Sequence, residues 1–169
     1  MALDTKLKSE CEQFIDGFGS LLLSTLNSDG SPDLSYTPFV DHEGQFLILT
    51  SHLSAHTGNL INDSRATVLF IEDESRCEQI YARRRLRFQC EAQRFAKETM
   101  DWNELIDLFA ERFGQIIDTL RTLPDFELFA LTPQGGQWVK GFGKAFDFRG
   151  RIHQDVNHLN PKKDSPQRP

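Results

Sequence analysis

Four arginines fall within five positions of the stretch IEDESRCEQIYARRRLRF, residues 71–88, in a chain whose net charge is −6. Strand side chains alternate faces. Arg83, Arg85, Arg87, Gln89 and Glu91 therefore share one face, while Leu86, Phe88, Cys90 and Ala92 share the other, with Arg84 at its start. The apolar side reads as core. The arginine side offers permanently charged, planar donors to something anionic: a phosphate, a propionate or a partner's carboxylates. The same pattern also describes the solvated outer face of a half-buried strand, and these residues alone leave both readings open.

The histidines supply the second kind of chemistry. His52 and His56 are four apart in TSHLSAHTGNL. On one helix face they would make two metal ligands, but no third donor lies nearby. A helix that begins here also presents free N–H groups and the positive end of its dipole. Thr50, Ser51, Ser54 and His56 could then hold a phosphate or carboxylate together; the plainer alternative is that Ser54 only caps the helix. His42 sits in a turn and reads as solvated. His153 and His158 lie in a polar tail, where a histidine is either solvated or an axial ligand to iron, the tail folding over a cofactor at a subunit interface. Asp125 follows Pro124 and either ends a turn or orients a histidine and raises its basicity. GxSxG, Walker, HExxH and GxGxxG patterns are absent, and Gly141-Phe142-Gly143 lacks the third glycine of a dinucleotide fingerprint.

The elements that must position these groups read as mainly β. Residues 4–18 carry Leu7, Cys11, Phe14 and Phe18 at helical spacing. Strands follow at 20–27, 33–40 and 45–51, joined by turns at Ser28-Asp29-Gly30-Ser31 and Asp41-His42-Glu43-Gly44. A short helix over 54–63 leads to an apolar strand at 66–72 and then the arginine strand. Residues 98–121 are helical, with Trp102, Leu105, Leu108 or Phe109, Phe113, Ile116 and Leu120 as the apolar stripe and Gly114 as a break. A strand at 125–132, a turn at Pro133-Gln134-Gly135-Gly136 and a last strand at 137–148 complete the pattern. The expected fold is a six- to seven-stranded antiparallel barrel with flanking helices, one domain over 1–148, followed by a polar tail over 149–169.

Composition narrows the classes further. The 169 residues suffice for one domain with a real core. Fourteen phenylalanines point to an aromatic core, a flat apolar pocket or a large subunit interface. Cys11, Cys77 and Cys90 show no CxxC spacing and read as reduced thiols. No apolar run is long enough to span a bilayer, and MALDTKLKSE carries no apolar signal stretch, so a cytoplasmic location is expected. The acidic balance argues against nucleic acid as the main partner.

Several stretches then carry a resemblance: SPDLSYTPFV, FLILTSHLSAHTGNL, VLFIEDES, YARRRLRF, ERFGQIIDTL, PDFELFALTP and WVKGFGKAF, in this order between about residues 20 and 148. The chain resembles FMN-binding split barrels of the pyridoxamine-phosphate-oxidase-like superfamily, and within them the HugZ/HutZ-type heme-utilisation branch. The resemblance implies a homodimer of split β-barrels with the ligand between subunits. It implies heme binding and oxygen-dependent heme degradation, with an external electron donor. Flavin-binding members place a lysine where this chain has His56, which is the pattern of the heme branch. The resemblance puts Arg85 on the distal side of the heme and Asp125 behind the proximal histidine, across the interface. Arg83, Arg84 and His56 would meet the propionates or the pocket wall. The family's iron-binding histidine near the C-terminus matches Lys163 here, so His158 or His153 would have to take its place. Two alternatives stay open: an FMN-binding oxidoreductase with its phosphate on Thr50, Ser51 and Ser54, and a heme carrier without catalysis.

Overall fold

The structure is a computed structural model that describes residues 2–152 and 154–159. The expectations placed on His153 and Lys163 lie outside the described residues. In chain order the elements are α1 (Ala2–Asp16), β1 (Ser20–Leu26), β2 (Pro32–His42), β3 (Gln45–Ser51), α2 (Ala55–Asn62), β4 (Arg65–Ile71), β5 (Arg85–Phe95), α3 (Met100–Phe113), α4 (Ile116–Leu120), β6 (Phe126–Gly141), β7 (Lys144–Arg149) and β8 (Gln154–His158). Two 3-10 turns, Glu74–Arg76 and Ile80–Ala82, lie between β4 and β5. Among the described residues no helix is long and apolar enough to cross a membrane.

The strands hydrogen-bond in the order β3-β2-β1-β4-β5-β6-β7-β8, and β3 also pairs with β6. That extra pairing closes six strands into an antiparallel barrel, with β7 and β8 added beyond β6. Closure removes the exposed strand edges that would otherwise invite pairing with other chains. The hairpin turns form where the sequence places them: Gly30 and Gly44 take φ of 82° and 83°, a region that costs glycine little. Registers are regular, with Leu22 opposite Tyr36 and Leu49 opposite Leu128.

The chain divides into two compact units. One comprises Gly19–Val68 and Cys90–Pro133. In it, Leu47 and Leu49 of β3 with Leu128 and Ala130 of β6 meet Trp102, Ile106 and Phe109 of α3. Phe39 and Phe46 meet edge to face, 5.9 Å between centroids, and both are fully buried. The other unit comprises the described residues within Met1–Phe18, Leu69–Gln89 and Gln134–Pro169. Leu7, Cys11 and Ile15 form the buried stripe of α1. Phe18, Phe70, Phe88 and Phe148 run as a chain of rings 5.5 to 6.5 Å apart, contacts worth about 0.5–1.5 kcal/mol each beyond simple burial. Burial, with Glu12 and Glu10 nearby, pushes the Cys11 thiol up to about 12, which makes it an inert core residue.

Three sequence expectations are corrected. The turn expected at Pro133-Gln134-Gly135-Gly136 does not form; β6 runs unbroken to Gly141, and the reversal is at Phe142-Gly143, where Gly143 has φ of 67°. The two earlier glycines serve close packing instead. A Cβ at Gly136 would stand 2.1 Å from the Arg87 carbonyl oxygen and 2.7 Å from the Phe148 ring. The long helix breaks at Gly114, and its buried face is Trp102, Ile106, Phe109 and Ile117, while Ile116 is exposed. Residues 154–158 of the polar tail form β8, which pairs antiparallel with β7, bringing the strand count to eight.

Candidate functional site

The corner where β3 meets α2 is tied down by hydroxyls. Thr57 Oγ1 donates to the Ser51 carbonyl at 2.6 Å and lies 3.0 Å from Thr50 Oγ1. Ser51 Oγ donates to Asp125 Oδ2 at 2.5 Å and accepts the Leu53 N–H at 3.1 Å. The His52 N–H donates to the Asp125 carbonyl at 2.8 Å. Ser54 stands at the N-cap position, but its side chain makes no cap hydrogen bond; its backbone serves instead, the N–H donating to the Ser51 carbonyl at 3.0 Å and the carbonyl accepting the Thr57 N–H at 3.1 Å. His56 is 6 % exposed, with Nδ1 2.9 Å from Ser35 Oγ. Burial holds its pKa below the ordinary 6.5, against the pull of Asp33.

Next to this corner lies a cluster that the sequence argument missed. Glu127 is 5 % exposed and lies on the same face of β6 as Phe129 and Leu131. Arg94 grips it with both Nε and Nη2, at 2.9 and 2.7 Å. His52 Nε2 is 2.9 Å from Glu127 Oε1. Burial alone would raise the Glu127 pKa, but the hydrogen bonds from Arg94 and His52 outweigh it and hold the carboxyl below its ordinary 4.5. A carboxylate accepts and does not donate, so the His52 proton sits on Nε2 and its Nδ1 carries the lone pair when the ring is neutral. The signal was present in DFELFALT, where Glu127 interrupts an apolar alternation.

The arginine segment is engaged differently from its strand reading. β5 begins at Arg85, and Arg83 and Arg84 precede it. Arg83 donates to the Glu72 carbonyl at 2.6 Å and to Glu74 Oε1 at 3.1 Å. Arg84 gives its backbone N–H to Glu72 Oε1 at 2.7 Å and its Nε to Oε2 at 2.9 Å. Arg85 gives Nη1 to the Arg83 carbonyl at 2.9 Å, and the rest of its donor fork has no partner among the described residues. From Arg85 onward the alternation holds: Leu86, Phe88 and Cys90 are buried, Arg87, Gln89 and Glu91 exposed.

His158 lies on β8 opposite Phe146, with ring centroids 5.0 Å apart. Its Nε2 is 2.9 Å from the Gly143 carbonyl. A carbonyl only accepts, so the proton is on Nε2 and the lone pair on Nδ1. The structure therefore joins Thr50, Ser51 and Asp125 in one bonded corner and gathers Arg83 and Arg84 around Glu72, while His158 has partners of its own. Among the described residues no group of three or more His, Cys, Asp or Glu side chains is arranged to hold a metal ion.

A six-stranded antiparallel barrel closed between β3 and β6, with a polar corner at the start of α2, defines a split-barrel protein. The family model of pyridoxamine 5'-phosphate oxidase matches residues 7–140, and the chain belongs to that family. It is 38 % identical over 157 residues to the heme oxygenase HutZ of Vibrio cholerae, covering 93 % of this chain and 89 % of that protein. A crystal structure of Vibrio cholerae HutZ, described as a heme storage protein, superposes with a TM-score of 0.73 at 34 % identity over 86 % of this chain and 97 % of that one. Campylobacter jejuni ChuZ superposes with a TM-score of 0.83 at 30 % identity, covering 96 % of this chain and 66 % of that one.

Proposed function

We propose that this chain binds heme between two copies of itself and, given oxygen and an external electron donor, degrades it. The observation that carries this reading is the 38 % identity to a heme oxygenase over nearly the whole chain. The donor set fits the group. Iron needs an imidazole lone pair, and the propionates need cations. His158 is an exposed imidazole, and most of the Arg85 guanidinium donors have no partner among the described residues.

In this reading His158 would hold the iron through Nε2 in place of its contact with the Gly143 carbonyl, with its proton on Nδ1. Asp125, already oriented by the Ser51 hydroxyl, accepts that Nδ1–H from the second copy's histidine and raises its basicity. Arg85 would supply a fixed cation that orders water and stabilises developing negative charge at the bound group. Arg83 and His56 would line the wall, whereas Arg84 is held by Glu72 on the rim of a separate trough. When bound, heme supplies the iron that activates oxygen and the ring that is oxidised. We place the protein in the cytoplasm, in keeping with Cys11, Cys77 and Cys90, all free thiols.

FMN is the weaker cofactor for this corner. The hydroxyls of Thr50 and Ser51 are spent within it, and His56 is buried against Ser35. The carrier reading has support of its own, since Vibrio cholerae HutZ is also described as a heme storage protein and Lys163 stands at the family's ligand position.

A hemin titration followed by absorbance tests the proposal. A saturable Soret band at about one heme per subunit is expected, lost or shifted in His158→Ala. Asp125→Asn should weaken binding by about 10–100-fold. Ascorbate in air then separates degradation from carriage, and light scattering reads the dimer. A wild-type protein with no specific Soret band would sink the heme reading.

A further inference from the structure

We infer that the unit containing α1 holds a second ligand site, for a conjugated, multi-ring system bearing anionic groups. The site is a trough between α1, the segment that follows β4, and the β6–β7 hairpin. Its main cavity is about 620 Å³, and an adjoining cavity of about 480 Å³ shares Glu72, Arg76, Arg84 and Lys140 with it. Small-molecule sites commonly measure about 300–1,000 Å³.

The floor is aromatic. Residues 10, 13, 14 and 17 lie on one face of α1 by helical spacing, and Phe14 from that face meets Trp138 with ring centroids 4.7 Å apart. Phe18 closes on Phe14 at 5.0 Å. Trp138 is 2 % exposed, and its Nε1–H has no acceptor. Buried indole N–H groups usually find one, so this donor, like that of Trp102 in the other unit, is unanswered among the described residues.

The rim is charged, and its charges are unevenly spent. Arg84 is paired with Glu72, and Lys140 with Glu10 at 2.5 Å. Asp73 is occupied in capping the turn Glu74–Arg76 through the Ser75 N–H and hydroxyl. Arg76 and Lys144 also line the trough; neither side chain makes a hydrogen bond or ion pair with a described residue, although Arg76 is close enough to add to the Ser75 hydrogen bonds that hold the Asp73 carboxyl below its ordinary pKa. Both are exposed. An aromatic floor, an unanswered indole N–H and two cations without hydrogen-bonded side-chain partners among the described residues together select a conjugated ring system with one or two carboxylates or a phosphate.

Two sources share that chemistry. One is a reduced flavin mononucleotide, an electron donor. The other is a linear tetrapyrrole dicarboxylate, the kind of product that ring opening of a porphyrin yields. Either role rests on the heme-degradation reading, whereas the binding claim itself does not.

The test uses the full-length, heme-free protein. FMN and biliverdin are titrated separately by calorimetry. They are also titrated by fluorescence quenching in Trp102→Phe, which leaves Trp138 as the sole tryptophan. Saturable binding is expected in at least one arm, weakened about tenfold or more in the double variant Arg76→Ala/Lys144→Ala. FMN binding alone names the donor, and biliverdin binding alone names the product. Hemin affinity in the same variant should stay at the wild-type value. No saturable binding by either probe, or binding that the double variant leaves unchanged, overturns the inference. Loss of hemin binding in wild type with probe binding intact would refute the heme reading while sparing the trough.

Discussion

Glu127 and the trough beside α1 are both polar clusters set against aromatic cores, but they differ in how their groups are spent. At Glu127 every visible demand is met. The carboxylate takes two bonds from Arg94 and one from His52. In the trough, the side chains of Arg76 and Lys144 have no hydrogen-bond or ion-pair partner and the Trp138 N–H has no acceptor among the described residues. A satisfied network rigidifies a fold, and an unsatisfied one is poised for a ligand. The first cluster should therefore be read in stability and the second in binding.

The largest expected effect lies at the satisfied cluster. Glu127→Ala strips the acceptor from Arg94 and His52 and opens space beneath them. It should cost about 2 kcal/mol, measured by urea denaturation at pH 7. The loss is tempered because Arg94 and His52 are about half exposed and recover water. The pH profile sharpens the point. The folded carboxyl titrates below its ordinary 4.5, so its contribution is present above that value and fades as pH falls through the folded one. Glu127→Gln should flatten the acid limb there. A variant as stable as wild type would show that the network is ornamental.

His56 gives a smaller effect of the same type. Burial disfavours its charged form in the folded chain and holds its pKa below the ordinary 6.5, against the pull of Asp33. The unfolded chain takes up a proton below about that pH, so stability should fall as pH drops from 7 toward about 5. His56→Gln keeps a polar group near Ser35 and removes the titration. The difference in melting temperature between pH 7 and pH 5 should shrink in the variant. An unchanged difference would mean that His56 is charged or exposed in the folded state.

Much of this was legible in the sequence, and the failures have physical causes. Alternation from Leu86 to Ala92 predicted the buried face of β5, because a closed barrel enforces period two. The hairpins at Gly30 and Gly44 were legible because positive φ leaves few residue choices. Gly135 and Gly136 misled, because the same lack of a Cβ serves both a turn and close packing, and only the neighbour decides which. Arg83 and Arg84 were placed on a strand, whereas their side chains are recruited by Glu72 and Glu74, residues nine to twelve positions away in a segment with no periodic pattern. The corner at Asp125 was named, but not its bond to Ser51, seventy-four positions away. Contacts of that range are set by register, which local spacing does not encode.

The smallest expected effect closes the comparison. Arg76→Ala/Lys144→Ala should change stability by less than about 0.5 kcal/mol, the usual range for exposed side chains without partners. Arg84→Ala, on the same rim, breaks both its side-chain bond to Glu72 and its stacking on Phe14, 5.6 Å from the ring centroid. It should cost about 1 kcal/mol. Urea denaturation of the two variants in parallel reads the contrast between a spent and an unspent cation within one trough. If the double variant proves as costly as Arg84→Ala, then Arg76 and Lys144 serve the fold. The trough would then belong with Glu127 as a structural cluster, and its cations would not be available to a ligand.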